Sequence, residues 1–110
     1  MIDPKDLAQW TARKPRRAWA KQWMKNNRTA TEMFFKYMEE ACQEGRRFGS
    51  DLVVGRLRWK AFFSAMNKGY KWNNSVTPYA TEKFLLNNPQ YEHLVACDVY
   101  AQRKRIKGLK

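Results

Sequence analysis

Residues 46–73, RRFGSDLVVGRLRWKAFFSAMNKGYKWN, decide the fold of this chain. They join a helix stop and restart to the densest apolar run in the sequence, then continue into an aromatic, basic loop. Gly49 can adopt the left-handed conformation that ends a helix, Ser50 can accept from the orphan amides of the next one, and Asp51 suits the positive end of its dipole. A new helix is therefore expected from Ser50. Along it Val53, Val54, Leu57, Ala61, Phe62, Ala65 and Met66 fall three and four apart and form one apolar face, whereas Arg56 and Lys60 stand four apart on another. Gly55 costs about 1 kcal/mol of helix propensity relative to Ala, so it implies either close approach of another backbone or plain tolerance.

Upstream, Phe34, Phe35, Met38, Ala41 and Cys42 keep helical spacing from Thr29 or Thr31 to about Glu44, with Glu32, Glu39, Glu40 and Glu44 making an acidic outer face. With the short basic turn 45–49, which carries Arg46 and Arg47, this helix and the next form a helix-turn-helix pair. A turn of that length with glycine is compatible with the DNA-binding version, and it also serves ordinary packing pairs.

Residues 1–28 carry Lys5, Arg13, Lys14, Arg16, Arg17, Lys21, Lys25 and Arg28 against Asp3 and Asp6 only, and read as a basic N-terminal helical arm. Asp3 caps a first helix over 5–11, and Pro15 suits the first turn of a second that runs to about Lys25. On the second, Arg17, Lys21 and Lys25 repeat every four residues along one stripe, and Trp19 and Trp23 along another. Such a helix can contact phosphates while its indoles stack on a ligand, or it can dock its indoles on the core, which is the commoner use of this spacing.

Downstream of Met66, Gly69 and the Asn73-Asn74 pair are turn signals, and Tyr70, Lys71 and Trp72 suit a short extended segment or small wing. Thr77 is expected to cap a helix over 78–86 with Ala80, Phe84 and Leu85 inward. Asn87, Asn88 and Pro89 break it. A last helix is expected over 89–104, burying Tyr91, Leu94, Val95 and Val99, before a mobile basic tail over 105–110. With no period-2 alternation, the class is mainly α: one compact helical core over 29–104 with at most a minor hairpin, plus the arm and tail.

At 110 residues and 44% hydrophobic content the chain can bury one core. Twenty-two Lys and Arg against ten Asp and Glu give a net charge of +12, and the sequence pI is near 10.1. Such an excess attracts polyanions, so the partners it points to are nucleic acid, an acidic protein surface or anionic lipid. No membrane span or secretory signal is legible, and Cys42 and Cys97 resemble buried thiols, which fits a cytoplasmic protein.

Chemistry is hard to assemble from these residues. His93 and Cys97 lie four apart, and Cys42 could join them, but zinc needs a fourth ligand and none is evident. The single histidine has no marked nucleophile partner, the carboxylates do not converge for magnesium, and no glycine-rich phosphate loop occurs. The expectation is a protein that is not an enzyme and takes no cofactor.

Residues 34–103 resemble a group of small proteins encoded in bacteriophages and prophages. The resemblance rests on the helix from Phe34, the GRRFGSDLVVGRLRW run ending in Trp59, the YKWNN segment from Tyr70 to Asn74, the TPYATEKFL helix from Thr77, and the NNPQYEHL segment. It implies a phage or prophage origin and a winged-helix-like, DNA-associated domain, and it carries over Lys71, Asn73 and Asn74 as positions of the group's Lys-x-Asn-Asn pattern.

The leading expectation is a small nucleic-acid-binding protein, with DNA the favoured ligand and RNA an alternative. Arg13, Arg16, Arg17, Lys21, Lys25, Arg46, Arg47, Arg56, Lys60, Lys68 and Lys71 would meet phosphates, with Trp72, Asn73 and Asn74 in the same loop region. Asn can pair with adenine, although an Asn-Asn pair is more often a turn. The second expectation is a phage accessory protein that binds an acidic surface on a host polymerase, nuclease or defence component, with Trp10, Trp19 and Trp23 as interface residues. Peripheral membrane attachment through the arm is a third.

Overall fold

Proline in the first turn, where its missing N–H is no loss, fixes where three of the helices begin. In the computed structural model, which describes residues 2–63 and 72–108, with 61–63 by backbone alone, α1 spans Pro4–Ala12 and α2 spans Lys14–Asn26. The Asp3 carboxylate accepts from the Lys5 amide at 2.8 Å and caps α1. Next come α3 (Arg28–Gln43), α4 (Ser50–Phe63), α5 (Thr77–Asn87) and α6 (Asp98–Lys107), with 3-10 turns at Asn74–Val76 and Pro89–Tyr91. The chain is mainly helical. Among the described residues the only β-type pairing is an isolated parallel bridge between Phe48 and Val95, and no helix is long and apolar enough to cross a membrane.

The helix boundaries correct several local expectations. Gly45, at φ 75°, takes the left-handed conformation that ends α3, whereas Gly49 does not. The Ser50 hydroxyl does not cap α4 but pairs with Thr81 Oγ1 at 2.8 Å, tying α4 to α5. Thr77 lies inside α5, and its Oγ1 accepts from the Trp72 indole at 2.9 Å. The helix expected over 89–104 divides, because residues 92–97 leave helical geometry to bridge Phe48, whose amide donates to Leu94 O at 3.0 Å. Basic residues expected in a loose tail belong to α6, which continues through Lys107 and ends on left-handed Gly108. Tyr70 and Lys71 of the expected wing lie outside the described residues, as do the side chains of Ala61 and Phe62 and all of Ala65 and Met66.

The core collects Phe34, Met38 and Cys42 of α3, Val53, Val54 and Leu57 of α4, and Ala80, Phe84 and Leu85 of α5. Helix α5 is the hub, in contact with α2, α3, α4 and α6, while α1 lies along α6. The stretch read from sequence as an arm is therefore packed onto α5 and α6 rather than projecting from them. Ala20 and Met24 are the buried residues of α2, and α1 buries none outright.

A Cβ built on Gly55 meets nothing within 4 Å among the described residues, so no backbone approach by them requires this glycine. Gly55→Ala is accordingly expected to raise stability by about 0.5–1 kcal/mol through helix propensity. A higher denaturation midpoint at unchanged m-value checks this.

Candidate nucleic-acid interface

The excess positive charge divides between the interior and the surface. Glu82 of α5 is buried, with its side chain 5% exposed, and two arginines converge on it. Arg17 of α2 donates to Oε1 at 3.1 Å through Nε and to Oε2 at 3.0 Å through Nη2, and Arg103 of α6 donates to Oε1 at 3.4 Å through Nη2. Arg103 Nε is 3.2 Å from Oε2, close enough for ion pairing but misaligned for a hydrogen bond, and Arg17 Nη1 is buried with no hydrogen-bond partner among the described residues. The Trp10 ring closes this cluster, 4.1 Å from Arg17 Cζ and 5.2 Å from Arg103 Cζ. Arg17 therefore joins three helices and is not available to phosphate.

Arg56 is also engaged. It pairs with Glu40 and lies 4.0 Å above the Tyr37 ring. Trp72 is buried at 7% exposure, stacked on Phe34 at 4.7 Å and meeting Trp23 edge-on at 5.3 Å, so it belongs to the core and not to a ligand surface. Asn73 and Asn74 take the turn role: Asn73 Oδ1 accepts from the Ser75 amide at 2.9 Å, and Asn74 Oδ1 accepts from Arg58 Nη2 at 2.7 Å.

Arg13, Arg16, Asn73 and Asn74 do converge, on two adjoining grooves. The first, about 790 Å³, receives the starts of α4, α5 and α6, with Arg13, Arg58 and Asn74 on its walls. Asp51 and Asp98, in the first turns of α4 and α6, place negative charge against those positive helix ends, which weakens the groove's pull on an added anion. The second groove, about 500 Å³, runs between α2 and the start of α5 and shares Arg13, Pro78 and Val99 with the first. Arg13, Arg16, Trp19, Asn73 and Ser75 line it, and no carboxylate of the described residues does. Trp19 is 42% exposed there, whereas Trp23 packs inward, so the two indoles of the α2 stripe have different roles.

Lys21, Lys25, Arg46, Arg47 and Lys60 are exposed and stand outside both grooves. Lys68 and Lys71 lie outside the described residues. Sequence reasoning missed Arg58. The available signal was that Ser50, Val54 and Arg58 recur every four residues, a stripe distinct from Arg56 and Lys60, and all three line the first groove.

Among the described residues no three His, Cys, Asp or Glu side chains gather as metal ligands. His93 and Cys97 sit in the non-helical segment before α6, which removes the one-face spacing a continuous helix would have given them. Both cysteines are free thiols, and burial pushes Cys42 up to about 11.

Polar contacts hold α1 and the 92–97 segment in place. Arg105 donates to both oxygens of Asp6 at 2.7 and 3.0 Å, and this holds the Asp6 carboxyl below its usual range. Lys104, and then the Tyr100 hydroxyl, do the same for Glu92. Because both carboxyls are depressed in the folded state, their contribution is complete above the unfolded value near 4 and lost as pH falls through the folded values. The Trp10 indole N–H resonance is expected to hold steady from pH 7 to about 5 and to move toward its unfolded position below about pH 4.

Comparison with protein-family models, with curated protein sequences and with solved structures finds no match.

Proposed function

We propose that this chain is a small nucleic-acid-binding protein of phage or prophage origin, acting in the host cytoplasm by binding and not by catalysis, with DNA as the leading ligand. The observation that carries this reading is the groove between α2 and α5, where Arg13 and Arg16 stand with Asn73 and Ser75 and no carboxylate of the described residues intervenes. Exposed cations on α2, on the α3–α4 turn and on α4 belong to a net charge of +12, whose long-range field attracts a polyanion to the protein as a whole. Phosphate contacts by guanidinium groups position the ligand without reading its sequence. The resemblance of residues 34–103 to phage-encoded proteins supports the origin.

The test is fluorescence anisotropy of labelled single-stranded DNA, duplex DNA and RNA titrated with the protein at several salt concentrations. Binding that survives about 150 mM salt, with log K falling by about 0.7–0.9 per neutralised phosphate as log salt rises, is the expected result. Loss of all binding by that salt counts against the reading. A second reading, capture of an acidic host protein surface, is favoured by Leu52 and Trp59, each 65% exposed on α4 beside Arg56 and Lys60.

A further inference from the structure

We infer that the α2–α5 groove holds an unpaired nucleotide, with its base stacked on Trp19, so that the protein takes single-stranded nucleic acid in preference to duplex. This rests on the nucleic-acid reading above and specifies the form of ligand. Among the described tryptophans of α1, α2 and the 72–76 segment, Trp10 lies under Arg17, and Trp23 and Trp72 pack on each other and on the core. Trp19 differs: it is 42% exposed and lines a cleft of about 500 Å³, within the span of about 300–1,000 Å³ typical of small-ligand sites.

The chemistry around that indole is complementary to a nucleotide in each of its parts. The exposed ring offers an aromatic face, and base–aromatic stacking tolerates any sequence because every base has a π-face. Among the described residues Arg16 forms no ion pair with a carboxylate and Arg13 forms one side-chain hydrogen bond, from Nη1 to Gln102 Oε1 at 2.8 Å, so both retain guanidinium donors for phosphate. Asn73 uses Oδ1 on the Ser75 amide, which leaves its Nδ2 donors and the Ser75 hydroxyl for a sugar or a base edge. A paired base inside a duplex is covered on both faces by its neighbours and cannot reach an indole within a cleft. A single strand can turn a base in.

The test compares a labelled single-stranded DNA 10-mer with the corresponding duplex at about 150 mM salt, for the natural protein, Trp19→Ala, Trp19→Phe and Arg16→Ala, with thermal melts showing that each variant is folded. Single strand is expected to bind at least tenfold tighter than duplex. Trp19→Ala is expected to lose about tenfold or more on single strand and less than twofold on duplex, Trp19→Phe to restore most of that loss, and Arg16→Ala to weaken both forms alike. Single-strand binding that Trp19→Ala leaves unchanged, or a preference for duplex, overturns the stacking role while the nucleic-acid reading stands. Failure of both forms to bind overturns both.

Discussion

Glu82→Gln is expected to lower the unfolding free energy by about 3–5 kcal/mol, the cost of removing one partner from a buried ion pair. Among the described residues this carboxylate is the only ion-pair partner of two guanidinium groups drawn from α2 and α6, and both are largely sequestered, with side chains 18% and 23% exposed. Without it, Arg17 and Arg103 lie together beside Trp10 without their shared counter-charge, and one Arg17 nitrogen already has no hydrogen-bond partner among the described residues. A domain of this size has about 5–15 kcal/mol in total, so the loss is a large share of its stability. Arg17→Met should cost less, since it leaves Glu82 paired with Arg103 and keeps an apolar stem over Trp10. Urea denaturation of the two variants reads this asymmetry directly, and equal losses would mean that the cluster acts by packing and not by charge.

Trp72→Ala is expected to cost a further distinct 3–5 kcal/mol, about what large aromatic truncations in a core cost. The indole stacks on Phe34 at an interplanar angle of 9°, takes the edge of Trp23 at 81°, and anchors the start of α5 through Thr77. Its removal therefore loosens α2, α3 and α5 together. Because Trp72 faces the core, affinity for nucleic acid measured well below the variant's melting temperature should change less than twofold. A selective loss of affinity with unchanged melting would move Trp72 back to the ligand surface.

The fold was legible wherever a local signal sufficed. Pro15, Pro78 and Asp3 mark helix starts by backbone chemistry that needs no tertiary partner, and Ser50 marked the start of α4 even though its hydroxyl serves Thr81 instead of a cap. The apolar face of Val53, Val54 and Leu57 was correctly assigned to the core. The 89–104 stretch misled because Leu94 and Val95 are buried by bridging to Phe48, and an apolar pair anchoring a loop has the same spacing as one on a helix.

The site was legible only in part, for a related reason. Composition shows charge but not pairing. Arg17 meets its carboxylate 65 residues away, so a cationic stripe that looks uniform in sequence is split between an interior clasp at Arg17 and solvent-facing Lys21 and Lys25. Trp72 looked like a loop aromatic because the residues that enclose it, Trp23 and Phe34, come from two other helices. Arg13, Arg16 and Asn73 could be named from sequence, but their convergence around Trp19 depends on how α2 packs across the start of α5.

The measurement that tests the central claim most directly is a two-dimensional amide NMR titration of the labelled protein with a short oligonucleotide at about 150 mM salt. Shifts concentrated on Arg13, Arg16, Asn73 and Ser75, together with the Trp19 indole N–H, are the result expected if the α2–α5 groove is the binding face. Shifts centred on Arg46 and Arg47, or spread evenly over every exposed cation with the Trp19 indole unmoved, would contradict it.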